Sequence, residues 1–413
     1  MTRAIKVRHL LAALVAATAL APPTVRADAV PAADWTGTWE AAPTGTTRAL
    51  PGDTVRNVVH TSIGGSVLRV RVTNRFGSAP LRLGSVTVAL QRRGRPGSPR
   101  AVPGTVRHAR FGGAPSATVP TGRDAYTDPV RLRVPAGANL LVSLHTPDDS
   151  GPATYHRSAL RKNFVARGGD HTGDEGGGAF RTTVRSSYYV TGIDVLDARA
   201  AGSVATLGDS ITDGIGSSPG TDHRWPDRLA ERLRALPPRR RLGVLNAGIS
   251  GNHVLRENVG PSALDRLEDD VLSRAGVRAL IVLEGVNDIK DRPGAAHPAA
   301  LEAAYRNIVV RAHARGVRVI GATITPYRGH RSWTEAGETV RTAVNAVIRD
   351  GGLFDAVADF DAVVRDHAQP QRIRSDYDPG DHLHFNDTGM RELARAVDLA
   401  ALTPRGPRPA RHP

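Results

Sequence analysis

The feature that most constrains the fold is a change in hydrophobic period near residue 200. Before it, apolar residues recur at every second position, as at 67–72, which reads Val-Leu-Arg-Val-Arg-Val. After it, short apolar segments alternate with longer amphipathic ones whose apolar spacing is about 3.6 residues. A chain with this change of period is expected to join two different architectures in sequence.

Residues 34–197 are predicted to form an antiparallel β-sandwich-like domain. Alternating segments at 67–72, 81–90 and 130–134, and an apolar run at 140–144, are separated by turns rich in glycine, proline, asparagine and aspartate. No amphipathic helix interrupts them, and the region contains no catalytic constellation.

Residues 202–402 are predicted to form a doubly wound parallel sheet, because strands and helices alternate. The predicted strands are 204–207, a second that begins at 244–245, and then 279–283, 317–324 and 356–360. The predicted helices are 225–236, 264–272, 301–314, 340–348 and 390–399. Such sheets bind ligands beyond the carboxyl ends of their strands. A functional site is therefore expected in the loops that follow the first four strands.

Both ends of the chain carry their own signals. Three basic residues among the first eight precede an uncharged apolar run at 10–21, and Ala27 and Ala29 follow with small-residue spacing. This layout is typical of a secretory signal peptide, here residues 1–29, and the run is too short to span a bilayer. The protein is therefore expected to be secreted, with a buried amino-terminal helix as the alternative. Residues 403–413, rich in proline and arginine, are predicted to be a disordered tail.

Composition excludes several classes of protein. The 413 residues include 55 Lys and Arg against 40 Asp and Glu, a net charge of +15, but only three of these cations are lysines. The arginines are scattered and aromatic residues make up 4%, so the basic stripe of a nucleic-acid-binding surface is missing. Attraction to anionic polymers or surfaces remains open. Since the chain has no cysteine, it has neither disulfides nor thiolate chemistry.

The first predicted strand of the second region runs directly into Gly208-Asp209-Ser210. The glycine permits a tight turn, and a serine at this strand-to-helix corner is exposed beside amides that can face an anion. A nucleophilic serine needs that placement and a base to take its proton. An ordinary serine helix cap is the alternative.

Two further loops offer hydrogen-bond donors. The second strand ends in Asn-Ala-Gly-Ile-Ser-Gly-Asn at 246–252, and the third ends in Gly285-Val-Asn-Asp. The two glycines of the first loop let a backbone amide face the crevice. The Asn287 side chain is an uncharged donor that suits a developing oxyanion. The alternatives are a plain turn and an asparagine helix cap.

Near the carboxyl terminus, Asp381 stands three residues before His384. At this spacing a carboxylate can reach Nδ1–H round a turn and leave Nε2 free as a base, whereas His382 would point the other way. Two alternatives are a metal site, in which Asp376 and Asp378 help the two histidines, and a solvated loop.

In this order on consecutive strand ends, the four motifs resemble those of the SGNH (GDSL-type) hydrolase family over about residues 202–400. The resemblance implies that Ser210 is the nucleophile, His384 the base and Asp381 the residue that orients it. No metal or organic cofactor is expected from the family.

The resemblance also implies an oxyanion hole made of the backbone amides of Ser210 and Gly251 and the side chain of Asn287. One departure is Phe385, which stands where proline is common in the family. The preceding region, from its Trp-Thr-Gly-Thr-Trp at 35–39, resembles the β-rich part of secreted actinobacterial members.

The resemblance predicts a secreted serine esterase that forms an acyl-enzyme on Ser210. The expected substrates are acylated polysaccharide or lipid and lysophospholipid, with small acyl groups slightly favoured because no long apolar lid segment is evident. No nucleic-acid partner and no membrane-spanning segment are expected. The alternative is a carbohydrate- or surface-binding protein with a vestigial hydrolase domain, in which Trp35 and Trp39 on one strand face stack on sugars.

Overall fold

The computed structural model describes residues 35–92, 97–196, 199–291 and 297–403. The predicted signal peptide lies outside these residues, as does the predicted tail beyond residue 403. None of the helices in the described ranges is long and apolar enough to cross a membrane.

The amino-terminal region is built from antiparallel strands. In chain order they are β1 Trp35–Glu40, β2 Gly45–Thr47, β3 Asp53–His60, β4 Gly65–Thr73, β5 Leu81–Leu83, β6 Ser85–Leu90, β7 Arg107–His108, β8 Ala117–Val119, β9 Asp124–Tyr126, β10 Val130–Val134, β11 Asn139–Thr146, β12 Ala153–His156, β13 Asn163–Ala166, β14 Thr182–Val184, β15 Ser187–Tyr188 and β16 Val190–Leu196.

Two large sheets face one another across a shared core. One has the order β1-β16-β4-β10, with β9 also paired to β4, and the other has the order β14-β13-β3-β11-β6-β7. Val70 from the first sheet and Val142 from the second lie in the same apolar cluster. In β10 the valines and the leucine are buried while both arginines are exposed, as the period of two requires. The predicted antiparallel sandwich is confirmed.

The predicted strand at 81–90 is wrong in one respect, because it is two strands. β5 pairs with β8 in a separate two-stranded sheet, while β6 pairs with β11 in the large sheet. Gly84 lies between them, where an added Cβ would come 3.0 Å from the His145 ring. The chain therefore changes sheets at a position where a side chain would crowd the His145 ring.

The carboxyl-terminal region contains a five-stranded parallel sheet flanked by helices. The strands are β17 Gly202–Gly208, β18 Leu242–Gly248, β19 Val277–Leu283, β20 Arg318–Ala322 and β21 Ala356–Ala358, in the order β18-β17-β19-β20-β21. The α-helices are α1 Ser210–Asp213, α2 Trp225–Arg234, α3 Ala263–Leu267, α4 Val286–Asp291, α5 Pro298–His313, α6 Glu335–Asp350, α7 Phe360–Val364 and α8 Asp387–Ala396. A π-helical turn, Glu268–Leu272, continues α3, and 3-10 turns lie at Pro238–Arg240 and Leu399–Leu402.

Alternate residues along the sheet face opposite helical layers. Leu207 of β17 lies in one apolar cluster with residues of α5 and α6, whereas Val204 lies in another with residues of α2 and α8. The doubly wound parallel sheet is therefore confirmed. Its carboxyl ends, at Gly208, Gly248 and Leu283, lie along one edge because the strands pair in parallel register.

The two regions meet along a seam formed by β1 against β17 and β18. The Gly37 carbonyl oxygen accepts a hydrogen bond from Ser203 Oγ at 3.1 Å, and the Gly37 amide donates to the Ala275 carbonyl at 3.0 Å. A Cβ added to Gly243 would lie 2.0 Å from the Gly37 carbonyl oxygen, and one added to Gly37 would lie 2.9 Å from Leu245. Only glycine lets the two backbones approach this closely.

Candidate active site

Ser210 begins the one-turn helix α1 directly after the central strand β17. Asp209 Oδ1 accepts the amide of Ile211 at 2.9 Å and so caps the helix. Gly214, which has a left-handed φ of 105°, caps the carboxyl end of the helix. A Cβ on Gly208 would lie 2.0 Å from Thr212 Oγ1, so this corner needs glycine. The turn places Ser210 at the edge of the sheet, as expected. The expectation that it is exposed is wrong, because Ser210 is only 7% exposed.

Ser210, His384 and Asp381 form one chain of hydrogen bonds. Ser210 Oγ lies 2.8 Å from His384 Nε2, and His384 Nδ1 lies 2.6 Å from Asp381 Oδ2. Asp381 Oδ1 accepts the backbone amides of Leu383 and His384 at 3.0 and 2.9 Å. Burial would raise the pKa of Asp381, but the hydrogen bond from His384 and these amides hold it well below its usual range. A negative Asp381 favours the tautomer with Nδ1 protonated, so Nε2 can accept the Ser210 proton.

His382 has a different partner. Its Nδ1 lies 2.5 Å from Asp378 Oδ2, and its backbone is left-handed with a φ of 61°. Asp376 pairs with Arg374 at 2.9 Å. The side chains considered as a metal site thus have separate partners. No group of three or more His, Cys, Asp or Glu that could hold a metal ion is found in the described ranges.

The residues expected to form an oxyanion hole occupy neighbouring loops. Asn287 lies on α4, is 2% exposed, and donates from Nδ2 to the Asn252 carbonyl at 2.8 Å. The amide carries a second Nδ2–H that can serve another acceptor. Gly251 has a left-handed φ of 87°. Within the described part of the chain, the backbone amides of Ser210 and Gly251 have no hydrogen-bond acceptor.

Three buried carboxyl groups lie in or next to the strand ends that carry these loops. Burial raises the pKa of Asp209 to about 6, although the Ile211 amide opposes the shift. Burial and the neighbouring Asp209 raise the pKa of Glu284 well above its usual range. Burial also raises the pKa of Asp288 against the amides of Val254 and Leu255. The serine corner thus sits over carboxyl groups that resist ionisation.

Arg266 on α3 ties the serine corner to the loops after β18 and β19. Its guanidinium donates to the carbonyls of Gly208 at 3.0 Å and Ala247 at 2.6 Å. The same group donates to Asn252 Oδ1 at 2.9 Å and Glu284 Oε1 at 3.3 Å. Arg266 was not among the residues expected at the site, because a single arginine in an amphipathic helix is ordinarily exposed.

A second contact that the sequence did not predict joins the amino-terminal region to the turn that carries Ser210. His156 of β12 places Nε2 3.2 Å from Asp213 Oδ1 and Nδ1 2.7 Å from the Ala42 carbonyl. Asp213 Oδ2 in turn accepts both the hydroxyl and the amide of Ser250, at 2.5 and 3.1 Å. Ser250 precedes Gly251. The β-rich region therefore supports the loop that carries one expected oxyanion donor.

The His156–Asp213 pair should make stability depend on pH. Burial would lower the pKa of His156, but Asp213 and the Ala42 carbonyl outweigh burial and raise it. The interaction of protonated His156 with Asp213 therefore stabilises the fold fully below about pH 6.5. This contribution is lost as the pH rises through the folded-state pKa of His156. His156→Ala should lower the free energy of unfolding by about 3–5 kcal/mol at pH 6, because the buried Asp213 carboxylate loses its imidazolium partner. The loss should be smaller at alkaline pH, where the imidazole is neutral.

Urea unfolding of both proteins across this pH range measures the difference. His108→Ala, which removes an exposed histidine, is the control and should leave stability nearly unchanged. A deficit of His156→Ala that does not shrink with rising pH would contradict the ion pair.

Comparison with known proteins places the site within a matched segment. Residues 206–392 match the model of the GDSL-like lipase/acylhydrolase family, and no curated protein is found to match the chain. A GDSL-like lipase from Bacteroides thetaiotaomicron is similar in structure at 17% identity, covering 49% of this chain and 87% of that chain with a TM-score of 0.36. The aryl esterase of M. smegmatis is 17% identical, with 48% and 96% covered and a TM-score of 0.37. A carbohydrate acetylesterase from Sinorhizobium meliloti is 16% identical, with 47% and 95% covered and a TM-score of 0.36.

Proposed function

Since residues 206–392 form a GDSL-like lipase/acylhydrolase domain, we propose that this carboxylic ester hydrolase works through a triad of Ser210, His384 and Asp381. One observation carries the proposal. The hydrogen-bond chain from Ser210 Oγ to His384 Nε2 at 2.8 Å and from His384 Nδ1 to Asp381 Oδ2 at 2.6 Å gives the nucleophile a base and the base an orienting carboxylate.

The proposed reaction has two halves. Ser210 Oγ attacks the ester carbonyl while His384 Nε2 takes its proton, and the protonated imidazole then gives that proton to the leaving alcohol. The acyl group stays on Ser210. Water attacks the acyl-enzyme with His384 again as base, and the released acid restores the serine. Asp381 stays ionised throughout and stabilises the imidazolium.

The oxyanion of each tetrahedral intermediate is proposed to bind three donors: the amides of Ser210 and Gly251 and the Asn287 side chain. The two amides are free of other acceptors in the described chain, and Asn287 has one Nδ2–H beyond its bond to Asn252. Donors fixed in advance cost no reorganisation when the charge appears.

Asn287→Ala should lower kcat by about 10²–10³-fold and leave KM nearly unchanged, because the lost hydrogen bond strengthens only in the transition state. Labelling of Ser210 by an organophosphonate should be slowed but detectable. Asn287→Asp should be worse, since a carboxylate would stand beside the developing negative charge. Steady-state kinetics with p-nitrophenyl acetate measures both.

The exposed Asn258→Ala is the matched control and should behave as the unaltered protein. If Asn287→Ala instead loses thermal stability strongly while its folded fraction keeps kcat, the side chain is a structural link to Asn252 and the oxyanion role is wrong.

We favour a small acyl group on a carbohydrate over a lipid substrate. Enzymes that work on lipid surfaces present contiguous apolar patches. The large hydrophobic residues exposed in the described chain lie instead in four separate elements or loops: Tyr126, Leu255, Val310 and Val363. This scatter supports a substrate met in solution or on a hydrated polymer.

A substrate panel tests this choice. p-Nitrophenyl esters of graded chain length, acetylated xylan and a lysophospholipid should be compared with Ser210→Ala as the blank. We expect kcat/KM to be highest for the acetyl ester and acetate to be released from the xylan. Higher kcat/KM for long-chain esters and for the lysophospholipid would overturn the preference.

The alternative of a carbohydrate-binding protein required Trp35 and Trp39 to stack on sugars from one strand face. Trp39 is 8% exposed and lies in the sandwich core, and the Arg69 guanidinium lies 4.6 Å from the centre of the Trp35 ring. A β-bulge between Gly37 and Trp39 interrupts the alternation that would have put both rings on one face. The expectation that the two tryptophans share a strand face is therefore not met.

Secretion is proposed from residues 1–29 alone. The basic start, the apolar run and the alanines at 27 and 29 support export. Amino-terminal sequencing of protein from a culture medium should begin just after Ala27 or Ala29. Intact protein that stays inside the cells would contradict the proposal.

A further inference from the structure

A cavity of about 1100 Å³ lies between the amino-terminal region and the loop that follows α1. One wall comes from β3, β6 and the turns around residues 97–102 and 135–139, and another from residues 157–162. Ile215, Pro219, Gly220 and Asp222 close the side towards the carboxyl-terminal region. Ligand sites in proteins commonly enclose about 300–1,000 Å³. The cavity is therefore large enough for an oligomer.

The charges around this cavity are strongly unbalanced. Among the described residues, its lining contains one carboxylate, Asp222, and five cations: Arg92, Arg157, Arg161, Lys162 and Arg185. Arg161 is 9% exposed and pairs with Asp222, which also lies 3.2 Å from His60 Nδ1. Burial and the nearby Arg224 lower the pKa of Arg161 to about 10, so the guanidinium stays charged at neutral pH. The one carboxylate in the described lining is thus already paired with Arg161 and does not offset the other four cations.

The other four cations are free to meet a ligand. Arg92, Arg157, Lys162 and Arg185 are exposed, and their side chains make no hydrogen bond or ion pair with any described residue. Elsewhere many arginines pair with acids, for example Arg341 with Glu338 and Asp361. The unpaired positive charge that gathers here raises the local concentration of anions.

Three polar side chains of the wall form one chain of hydrogen bonds. His60 Nδ1 lies 2.8 Å from Asn139 Oδ1, Asn139 Nδ2 donates to Gln91 Oε1 at 2.9 Å, and Gln91 Nε2 donates to the Ser98 carbonyl at 2.6 Å. These groups are therefore fixed as a wall. Lys and Arg have donors and no acceptors, so a ligand recognised here must supply acceptor oxygens. The positive charge favours anionic oxygens, because charge-assisted hydrogen bonds are about twice as strong as neutral ones.

The loop that closes the cavity is attached on both sides. The Gly220 amide donates to the Leu160 carbonyl at 2.8 Å, and the Ser218 amide donates to Asp387 Oδ1 at 2.7 Å. The Ile215 amide donates to the Ser210 carbonyl at 2.9 Å. A preformed wall lowers the ordering cost of binding. Ser210 and His384 do not line the cavity.

We propose that this cavity is a second binding site, separate from the triad, for a soluble oligomer that carries several carboxylate or phosphate groups. The four unpaired cations bind the anionic oxygens, and the apolar parts of the wall, such as Leu90 and Val102, cover the uncharged backbone of the oligomer. Binding does not require ester hydrolysis.

Isothermal titration calorimetry at low ionic strength tests the proposal on the full chain. The probes are trigalacturonate for carboxylate and tripolyphosphate for phosphate, with maltotriose as a neutral oligomer of similar length. We expect at least one anionic probe to bind and maltotriose not to bind. Added salt should weaken the affinity, because the contacts are between exposed charges. Whichever probe binds more tightly identifies the anion.

Two variants locate the site. Lys162→Gln together with Arg185→Gln should raise the Kd on the order of tenfold. Arg239→Gln, an exposed cation on the Pro238–Arg240 turn outside the cavity, should change the Kd by less than about twofold. Ser210→Ala should bind as the unaltered protein does, so the outcome does not depend on the proposed triad. Absence of binding, equal binding of maltotriose, or equal losses in the two cation variants would overturn the site.

Discussion

Ser210→Ala is expected to lower kcat for p-nitrophenyl acetate by about 10⁴–10⁶-fold, the loss seen when a triad serine is removed. The fold should survive, because within the described ranges the side chain makes a single hydrogen bond, to His384 Nε2. Circular dichroism and the urea midpoint should match the unaltered protein, and labelling by an organophosphonate should disappear. Ser218→Ala removes an exposed serine of the following loop and is the matched control. Comparable turnover in folded Ser210→Ala would remove the basis of the proposed mechanism.

The two neighbouring histidines should differ in their effects by several orders of magnitude. His384→Ala should lower kcat about as much as Ser210→Ala, because triad residues act as a unit. His382→Ala should reduce activity mildly, since its ring is bonded to Asp378 and not to Ser210. Steady-state kinetics of the two variants measures this, and the reverse ranking would show that the assigned base is wrong. Activity should also persist after dialysis against a chelator, and its loss would support the metal alternative.

The positions of the strand ends could be predicted, because they depend on short-range patterns. Ser210, Gly251 and Asn287 each follow a short apolar segment, and parallel pairing brings such segments to one edge. The Asp381–His384 contact could be predicted as well, because it closes within a single turn. The roles assigned to these residues stay predictions until the variants are measured.

Element boundaries were less accurate, for local reasons. The strand predicted at 356–360 ends at Ala358, because Asp359 caps a helix that begins at Phe360. The helix predicted at 264–272 contains a π-helical turn over its second half. Neither a cap within an apolar run nor a change of helix type alters the hydrophobic period on which the prediction relied.

The supporting contacts could not be predicted. His156 meets Asp213 across 57 positions in the chain, and Arg266 meets Gly208 across 58. Neither pair belongs to a repeated pattern. Which charged side chains become buried depends on the complete fold, because each carbonyl or carboxylate buried at a strand end needs a hydrogen-bond donor. The resemblance to a family supplied the triad and was silent on both contacts.

The seam that β1 forms against β17 and β18 determines whether the two regions can be produced as separate proteins. The change of hydrophobic period suggests a cut near residue 200, as if the catalytic half were a portable module. Gly37 and Gly243 are in contact through their backbones, and Val244 donates its amide to Ser62 Oγ at 2.8 Å. A shortened chain that starts at residue 202 would lay open the edge of its own parallel sheet, a surface prone to aggregation. For gene fusion or domain shuffling, the sandwich and the sheet should therefore be transferred together as one piece.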